Sequence, residues 1–254
     1  MEGFDKRHQP RRLYDDRYDL LPDDDSYGAI VVFIHGQPGS KESWAPVVSR
    51  LSGSTRRLLV IDRPGWGGNV QDARSIQGNA RYVLSLLKEI PKDVPVVLVG
   101  HSLGAAIAVV AGTMEPTRIR NVIAISPAFN SDAIVKLDSF IALPYIGMGA
   151  SKVTLELYKR QMGYSHWGQS STRSFHLEQS WLLRELRGLD AAATWFEGKL
   201  NILYALDDVV VPLRSIVATI KRNPQSRVEV LRRGGHDLLR TRASAVAYFL
   251  SKVY

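Results

Sequence analysis

The feature that most constrains this chain is an alternation of two kinds of apolar pattern. Short β-branched runs that are apolar on both faces take turns with segments whose apolar residues recur every three or four positions. The runs are AIVVFIHG from Ala29, RLLVID from Arg57, PVVLVGHS from Pro95, NVIAISP from Asn121, KLNILYALDD from Lys199 and SRVEVLRR from Ser226. Two-sided apolar strands belong to sheets covered on both faces. Between them, Glu42–Leu51, Arg74–Ile90, Leu103–Met114, Leu213–Lys221 and about Leu238–Lys252 read as helices. The expected fold class is α/β, a mostly parallel central sheet flanked by helices.

One stretch breaks the rhythm. From residue 127 to 194 there is no clear strand, only helical pattern and many aromatics, with an apolar run at Phe140–Met148 and a helix expected over Trp181–Leu186. This predicts a core of residues 1–126 and 195–254 with a helical lid inserted at 127–194. Residues 1–28 are polar and acidic, with only weak strand hints at Leu13–Tyr14 and Tyr18–Leu21.

Composition removes several classes of function. The chain has no cysteine, which excludes disulfides, thiolate metal sites and cysteine nucleophiles, and fits a cytoplasmic location. The N-terminus carries charge without an apolar core, so it does not read as a secretory signal. No apolar run approaches the ~18 residues of a membrane span, which leaves peripheral membrane contact as the only membrane association to consider. The net charge of +8 is scattered, as at Arg11-Arg12, Arg56-Arg57 and Arg232-Arg233, and builds no nucleic-acid module. The expected partner is a small-molecule substrate.

The chemistry concentrates at the ends of the apolar runs. Gly100-His101-Ser102-Leu103-Gly104 fits G-x-S-x-G at a strand end that opens a helix. A nucleophile on so sharp a turn needs small neighbours, which Gly100 and Gly104 supply. His236, in the glycine-bearing loop after the last strand, is placed to be the base that Ser102 requires. Asp207 and Asp208, after the fifth run, both offer a carboxylate to orient that base. Two backbone donors are needed for an oxyanion. Leu103 supplies one as the residue after the nucleophile, and Gln37 the other, since Pro38 has no N–H.

Together, HGQPGSKESW, DRPGWGG, GHSLGA, LDDVVVP and GGH stand in the order and approximate spacing of the α/β-hydrolase superfamily, which the chain resembles from Ala29 to about Phe249. The resemblance implies a Ser-Asp-His order for the triad and a lid at the observed insertion. It also implies Asp208 over Asp207, because the family's acid stands four residues before the proline, here Pro212, and it implies Gln37 and Leu103 as oxyanion donors. Two departures stand out: the two leading strands of the superfamily are not evident, and the turn Asp62-Arg63-Pro64-Gly65 carries a proline where many relatives have glycine-rich variants.

The expected activity is hydrolysis of a carboxylic ester or thioester of a moderately hydrophobic small molecule through an acyl-enzyme. The alternatives on the same triad are carbon–carbon bond hydrolysis, perhydrolysis or other non-ester chemistry, and then a receptor-like member that binds without turnover. Dehalogenases and epoxide hydrolases of the fold share HGxP but place an aspartate where Ser102 stands. No cofactor and no metal is expected: Gly65–Gly68 and Gly147–Ala150 give no dinucleotide fingerprint, and His166 and His176 lack metal-ligand spacing. Phe140, Ile141, Leu143, Tyr145, Ile146 and Met148 are expected to pack the lid, with an acyl pocket as the other reading.

Overall fold

A computed structural model describes residues 17–21, 29–51, 57–133, 147–162, 171–191 and 196–253. Leu13–Tyr14, the apolar residues Phe140 to Ile146, and His166 lie outside them. The strands are β1 (Tyr18–Leu21), β2 (Ile30–Ile34), β3 (Arg57–Ile61), β4 (Val96–His101), β5 (Ile119–Ile125), β6 (Lys199–Ala205) and β7 (Arg227–Leu231). They form one sheet in the order β1-β3-β2-β4-β5-β6-β7. β1 runs antiparallel to β3 and every other pairing is parallel. The weak hint at Tyr18–Leu21 is therefore a real edge strand.

Period-two alternation explains why both faces of the sheet are covered. Ile30, Val32 and Ile34 of β2 join one apolar cluster, with Leu98 of β4 and Ile107. Val31 and Phe33 join the other, with Trp44, Val246 and Phe249. The first cluster includes residues of α2 (Ile76–Leu86) and α3 (Leu103–Met114), and the second those of the C-terminal helices α7 (Leu238–Thr241) and α8 (Ala243–Val253). Nine of the twelve residues of α3 are buried, so this helix is held by packing around its whole circumference.

Two helical segments differ from the sequence pattern, each for a local reason. The expected helix at Glu42–Leu51 is a 3-10 turn at Lys41–Trp44 followed by a single α-turn, α1 (Ala45–Val48). Pro46 lacks the N–H that would bond back to Glu42, so the first turn cannot continue as α-helix. The terminal helix divides at Arg242, whose φ of −138° and ψ of 34° leave the helical region. The Thr241 hydroxyl there donates to the carbonyls of Gly234 and Asp237. Between β5 and β6 stand α4 (Gly147–Met162) and α5 (Ser171–Ala191), the latter spanning the expected Trp181–Leu186 helix. α6 (Leu213–Arg222) follows β6.

The start of α3 sits directly on the end of β2. A Cβ placed on Gly104 would collide with the carbonyl oxygen of Ile34 and come within 2.7 Å of that of His35. Neither backbone oxygen can step aside without moving the strand. Gly104→Ala is accordingly expected to cost about 3 kcal/mol, at the upper end of ordinary overpacking, read as a lower urea midpoint at unchanged slope. An unchanged midpoint would show that the helix is not seated this closely.

Candidate active site

β4 ends at His101, and the chain turns through Ser102 before α3 begins at Leu103. Ser102 takes φ 53° and ψ −120°, a conformation that L-residues avoid. Among the described residues the other non-glycine with positive φ is Ser126, at the end of neighbouring β5. The strained turn is held from three sides: Ser102 N–H donates to Ile125 O at 3.0 Å, while its carbonyl accepts from Ala105 N–H at 3.0 Å and Ala128 N–H at 3.2 Å. A Cβ on Gly100 would collide with the Gly104 carbonyl and the Ala105 backbone, so the turn closes this tightly only around glycine.

His236 stands in the loop between β7 and α7, following Gly235 at φ 65°. Its Nε2 lies 2.9 Å from Ser102 Oγ and its Nδ1 2.9 Å from Asp208 Oδ2. A carboxylate only accepts, so Nδ1 carries the hydrogen in the neutral ring and Nε2 turns its lone pair to the Ser102 hydroxyl. The Asp208 side chain is fully buried, and its Oδ1 accepts from the N–H groups of Val210 and Val211, each at 2.9 Å. Ser102, His236 and Asp208, 134 and 28 positions apart along the chain, thus meet in one hydrogen-bonded line.

The neighbouring aspartate acts on the same loop differently. Asp207 Oδ1 accepts from Gly234 N–H at 2.9 Å and Gly235 N–H at 2.8 Å. Those two donors hold its carboxyl below the usual range, the Gly235 bond foremost. The loop carrying His236 is therefore clamped by both aspartates, one on the ring and one on the backbone before it. The family resemblance selects Asp208 for the ring, and nothing in the sequence foretells the backbone bonds that Asp207 accepts.

Leu103 follows the serine directly, and Gly36, the residue before Gln37, packs against it. Leu103 is the first residue of α3, where an N–H has no intrahelical acceptor. The loop before Gln37 approaches just as closely, since a Cβ on Gly36 would stand 2.9 Å from Ser102 Cβ. The Gln37 side chain is tied to α5, donating to Phe175 O and accepting from Gln179 Nε2, each at 3.3 Å.

Two histidines, buried His35 and half-buried His101, complete the surroundings. His101 Nε2 meets the His236 carbonyl at 3.0 Å, so it carries the hydrogen there and positions the same loop. Burial, and next the nearby His236, push its pKa down to about 4. Burial and then Arg63 hold His35 well below the usual histidine range as well. The unfolded chain protonates near the ordinary value of 6.5, so it binds more protons than the folded protein as pH falls from there. The stability that neutral His101 confers is complete above pH 6.5 and is lost toward pH 4, at about 1.4 kcal/mol per pH unit. Asp62 opposes this trend, because burial raises its carboxyl to about 6 and its contribution declines as pH rises through that value. His101→Gln is expected to flatten the loss of stability between about pH 6 and 4.5 by about one proton's slope. Urea unfolding at several pH values measures this, and an unaltered slope would mean that His101 takes up its proton normally.

The sequence pattern misses one buried group. Arg63, in the turn after β3, is fully buried and makes a two-pronged ion pair with Glu178 of α5. The residues stand 115 positions apart. No motif links them.

Comparisons with known proteins agree with this architecture. The chain is 32% identical over 117 residues to epoxide hydrolase B of Mycobacterium tuberculosis, a match covering 44% of this chain and 33% of that protein. It is 29% identical over 112 residues to putative methylesterase 14 of Arabidopsis thaliana, covering 43% and 32%. The chain thus matches about a third of the length of these curated relatives. The esterase of Exiguobacterium antarcticum superimposes with a TM-score of 0.71 at 17% identity, covering 92% of this chain and 93% of that one. A thermophilic esterase from Thermogutta terrifontis superimposes with a TM-score of 0.70 at 16% identity, covering 93% of each chain. These two likenesses show the fold. The model of the alpha/beta hydrolase family matches residues 31–247, and the chain belongs to that family.

Proposed function

We propose that this protein is a serine hydrolase that cleaves a carboxylic ester or thioester of a moderately hydrophobic small molecule through an acyl-enzyme. The observation that carries the reading is the line Ser102–His236–Asp208, with 2.9 Å at each contact, on a strained turn that lifts the serine off the sheet. As Ser102 Oγ attacks the carbonyl carbon, its proton passes to His236 Nε2. The carbonyl oxygen, now negative, is held by the N–H groups of Gln37 and Leu103. Collapse breaks the bond to the leaving group, which takes the proton from His236. Water, deprotonated by the same nitrogen, then releases the acid and restores Ser102. Asp208 holds the ring in the tautomer that permits both transfers.

Ester chemistry is favoured by the residue at the turn. A carboxylate nucleophile, which the epoxide hydrolases of the fold place there, is replaced here by Ser102, which disfavours the epoxide hydrolysis in the mycobacterial relative's name. Methylesterase and esterase, the names of other relatives and structural neighbours, fit a serine. The helices between β5 and β6 are assigned as the lid that shapes the acyl pocket, and a cytoplasmic location fits the cysteine-free composition. Among the described residues no helix is long and apolar enough to cross a membrane.

The test is to mix the protein with methyl and p-nitrophenyl esters of increasing acyl length, quench in acid and weigh the intact protein. An added acyl mass that maps to Ser102 is expected for the best substrates. Turnover of those esters that persists undiminished in Ser102→Ala would sink the proposal.

A further inference from the structure

The buried pair between Arg63 and Glu178 lies off the line of reacting residues, yet the bonds Arg63 makes lead to the loop beside Ser102. The Arg63 guanidinium donates through Nε to His35 O at 3.1 Å and through one terminal nitrogen to Gly36 O at 2.9 Å. That same nitrogen reaches Glu178 Oε2 at 3.2 Å, and the other one bonds Glu178 Oε1. The Arg63 backbone N–H donates to His35 Nε2 at 3.1 Å, so Nε2 is the unprotonated nitrogen and Nδ1–H donates to Gly36 O at 2.8 Å. The Gly36 carbonyl thus accepts from two donors at once.

A peptide unit is planar, and in its trans form the C=O and the following N–H point in opposite directions. Fixing the Gly36 oxygen toward Arg63 and His35 therefore fixes the Gln37 N–H away from them. Gly36 itself lies against Ser102, as the 2.9 Å approach of a built Cβ to Ser102 Cβ records.

Glu178 ties this arrangement to α5. It also accepts from Trp66 Nε1 at 3.0 Å, and Trp66 packs with Phe175 of α5 and Leu155 of α4. Ser174 Oγ donates to Gly65 O at 2.8 Å, and Gln179 meets the Gln37 side chain. A lone buried guanidinium would be costly, so the carboxylate from α5 is what permits Arg63 to stand there.

We infer that Arg63 and Glu178 are positioning residues that orient the Gln37 N–H for oxyanion binding, and that the helices inserted between β5 and β6 hold the loop through them. The inference rests on the acyl-enzyme reading for its effect on rate but not for its effect on the loop. Substrate-induced movement of α5 would, by this route, alter the rate of chemistry without touching the triad.

The test uses two variants of the full chain. Arg63→Met combined with Glu178→Leu replaces the ion pair by apolar side chains of similar size, which buried pairs commonly tolerate in stability. Arg63→Lys keeps Glu178 paired but cannot span four acceptors with one ammonium. Each is expected to fold with a lowered melting temperature, since Trp66 Nε1 and His35 O lose a partner in the double variant, to speed amide exchange in the segment 35–40, and to lower kcat by about 10–100-fold with KM changed less than about threefold. The pH profile of kcat/KM should keep its shape, because His236 and Asp208 are untouched. Phosphonylation of Ser102 by a fluorophosphonate should slow in parallel with kcat. A folded variant of either kind with parental exchange in the segment 35–40 and parental kcat would overturn the inference. If the parent itself is not modified at Ser102, the acyl-enzyme reading fails, and the exchange comparison alone decides whether the pair holds the loop.

Discussion

Ser102→Ala is expected to lower kcat by about 10⁵–10⁶-fold, the cost of removing a nucleophile that acts as a unit with its base, while leaving the protein folded. The reason lies in what the serine side chain touches. Its hydroxyl meets His236 Nε2, whereas its backbone is held by Ile125, Ala105 and Ala128. Removing the hydroxyl takes away the nucleophile and leaves those backbone bonds in place. The same position yields a stability test, since alanine retains the strain of a φ of 53° and glycine does not. Ser102→Gly is expected to be equally inactive and more stable than Ser102→Ala by about 1 kcal/mol. Matching melting temperatures for the two would show that the turn stores no strain.

Asp208→Asn is expected to lower kcat by about 10⁴-fold with little change in KM, as loss of the correct tautomer does in triads of this geometry. Here the bonding dictates how the asparagine must sit. Oδ1 accepts from the N–H groups of Val210 and Val211, so the amide oxygen has to occupy that place. The amide nitrogen then falls where Oδ2 met His236 Nδ1, and it can only donate. His236 must turn its lone pair to the new amide and its hydrogen to Ser102, which leaves no base at Nε2. Asp207→Asn makes the contrast. Its Oδ1 serves Gly234 and Gly235 by acceptance alone, which an amide oxygen reproduces, so a change of less than about threefold in kcat is expected. Steady-state kinetics on both variants measures the difference. Equal losses in the two would refute the division of labour between these aspartates.

Much of the molecule is legible in its sequence because its determinants are local. A strand buried on both faces must be apolar throughout, so β2, β4 and β6 announce themselves. A nucleophile turn must have glycines at fixed offsets, so Gly100, Ser102 and Gly104 can be read together. The assignment of His236 follows from where loops fall at the ends of parallel strands, whereas Asp208 is preferred to Asp207 only through the family resemblance. Features that depend on partners distant in sequence are hidden. β1 gives only a weak hint in its own pattern and is secured as a strand by its pairing with β3. The hydrogen bonds of Asp207 depend on the fold of a loop 27 and 28 positions away. Arg63 and Glu178 look like surface charges until the fold buries both, since charge in a sequence carries no sign of whether it will be paired out of water. Pro46 is the exception in which a local signal was present, because it alone suffices to interrupt the helix expected at Glu42–Leu51.

The central claim is that Ser102 is an activated nucleophile, and covalent labelling tests it most directly. The protein, Ser102→Ala and Asp208→Asn are each exposed to a fluorophosphonate, weighed intact and mapped by peptide. One adduct on Ser102 is expected in the parent, none in Ser102→Ala, and slow formation in Asp208→Asn. Folded protein that takes up no probe, or takes it up at a residue other than Ser102, would contradict the account.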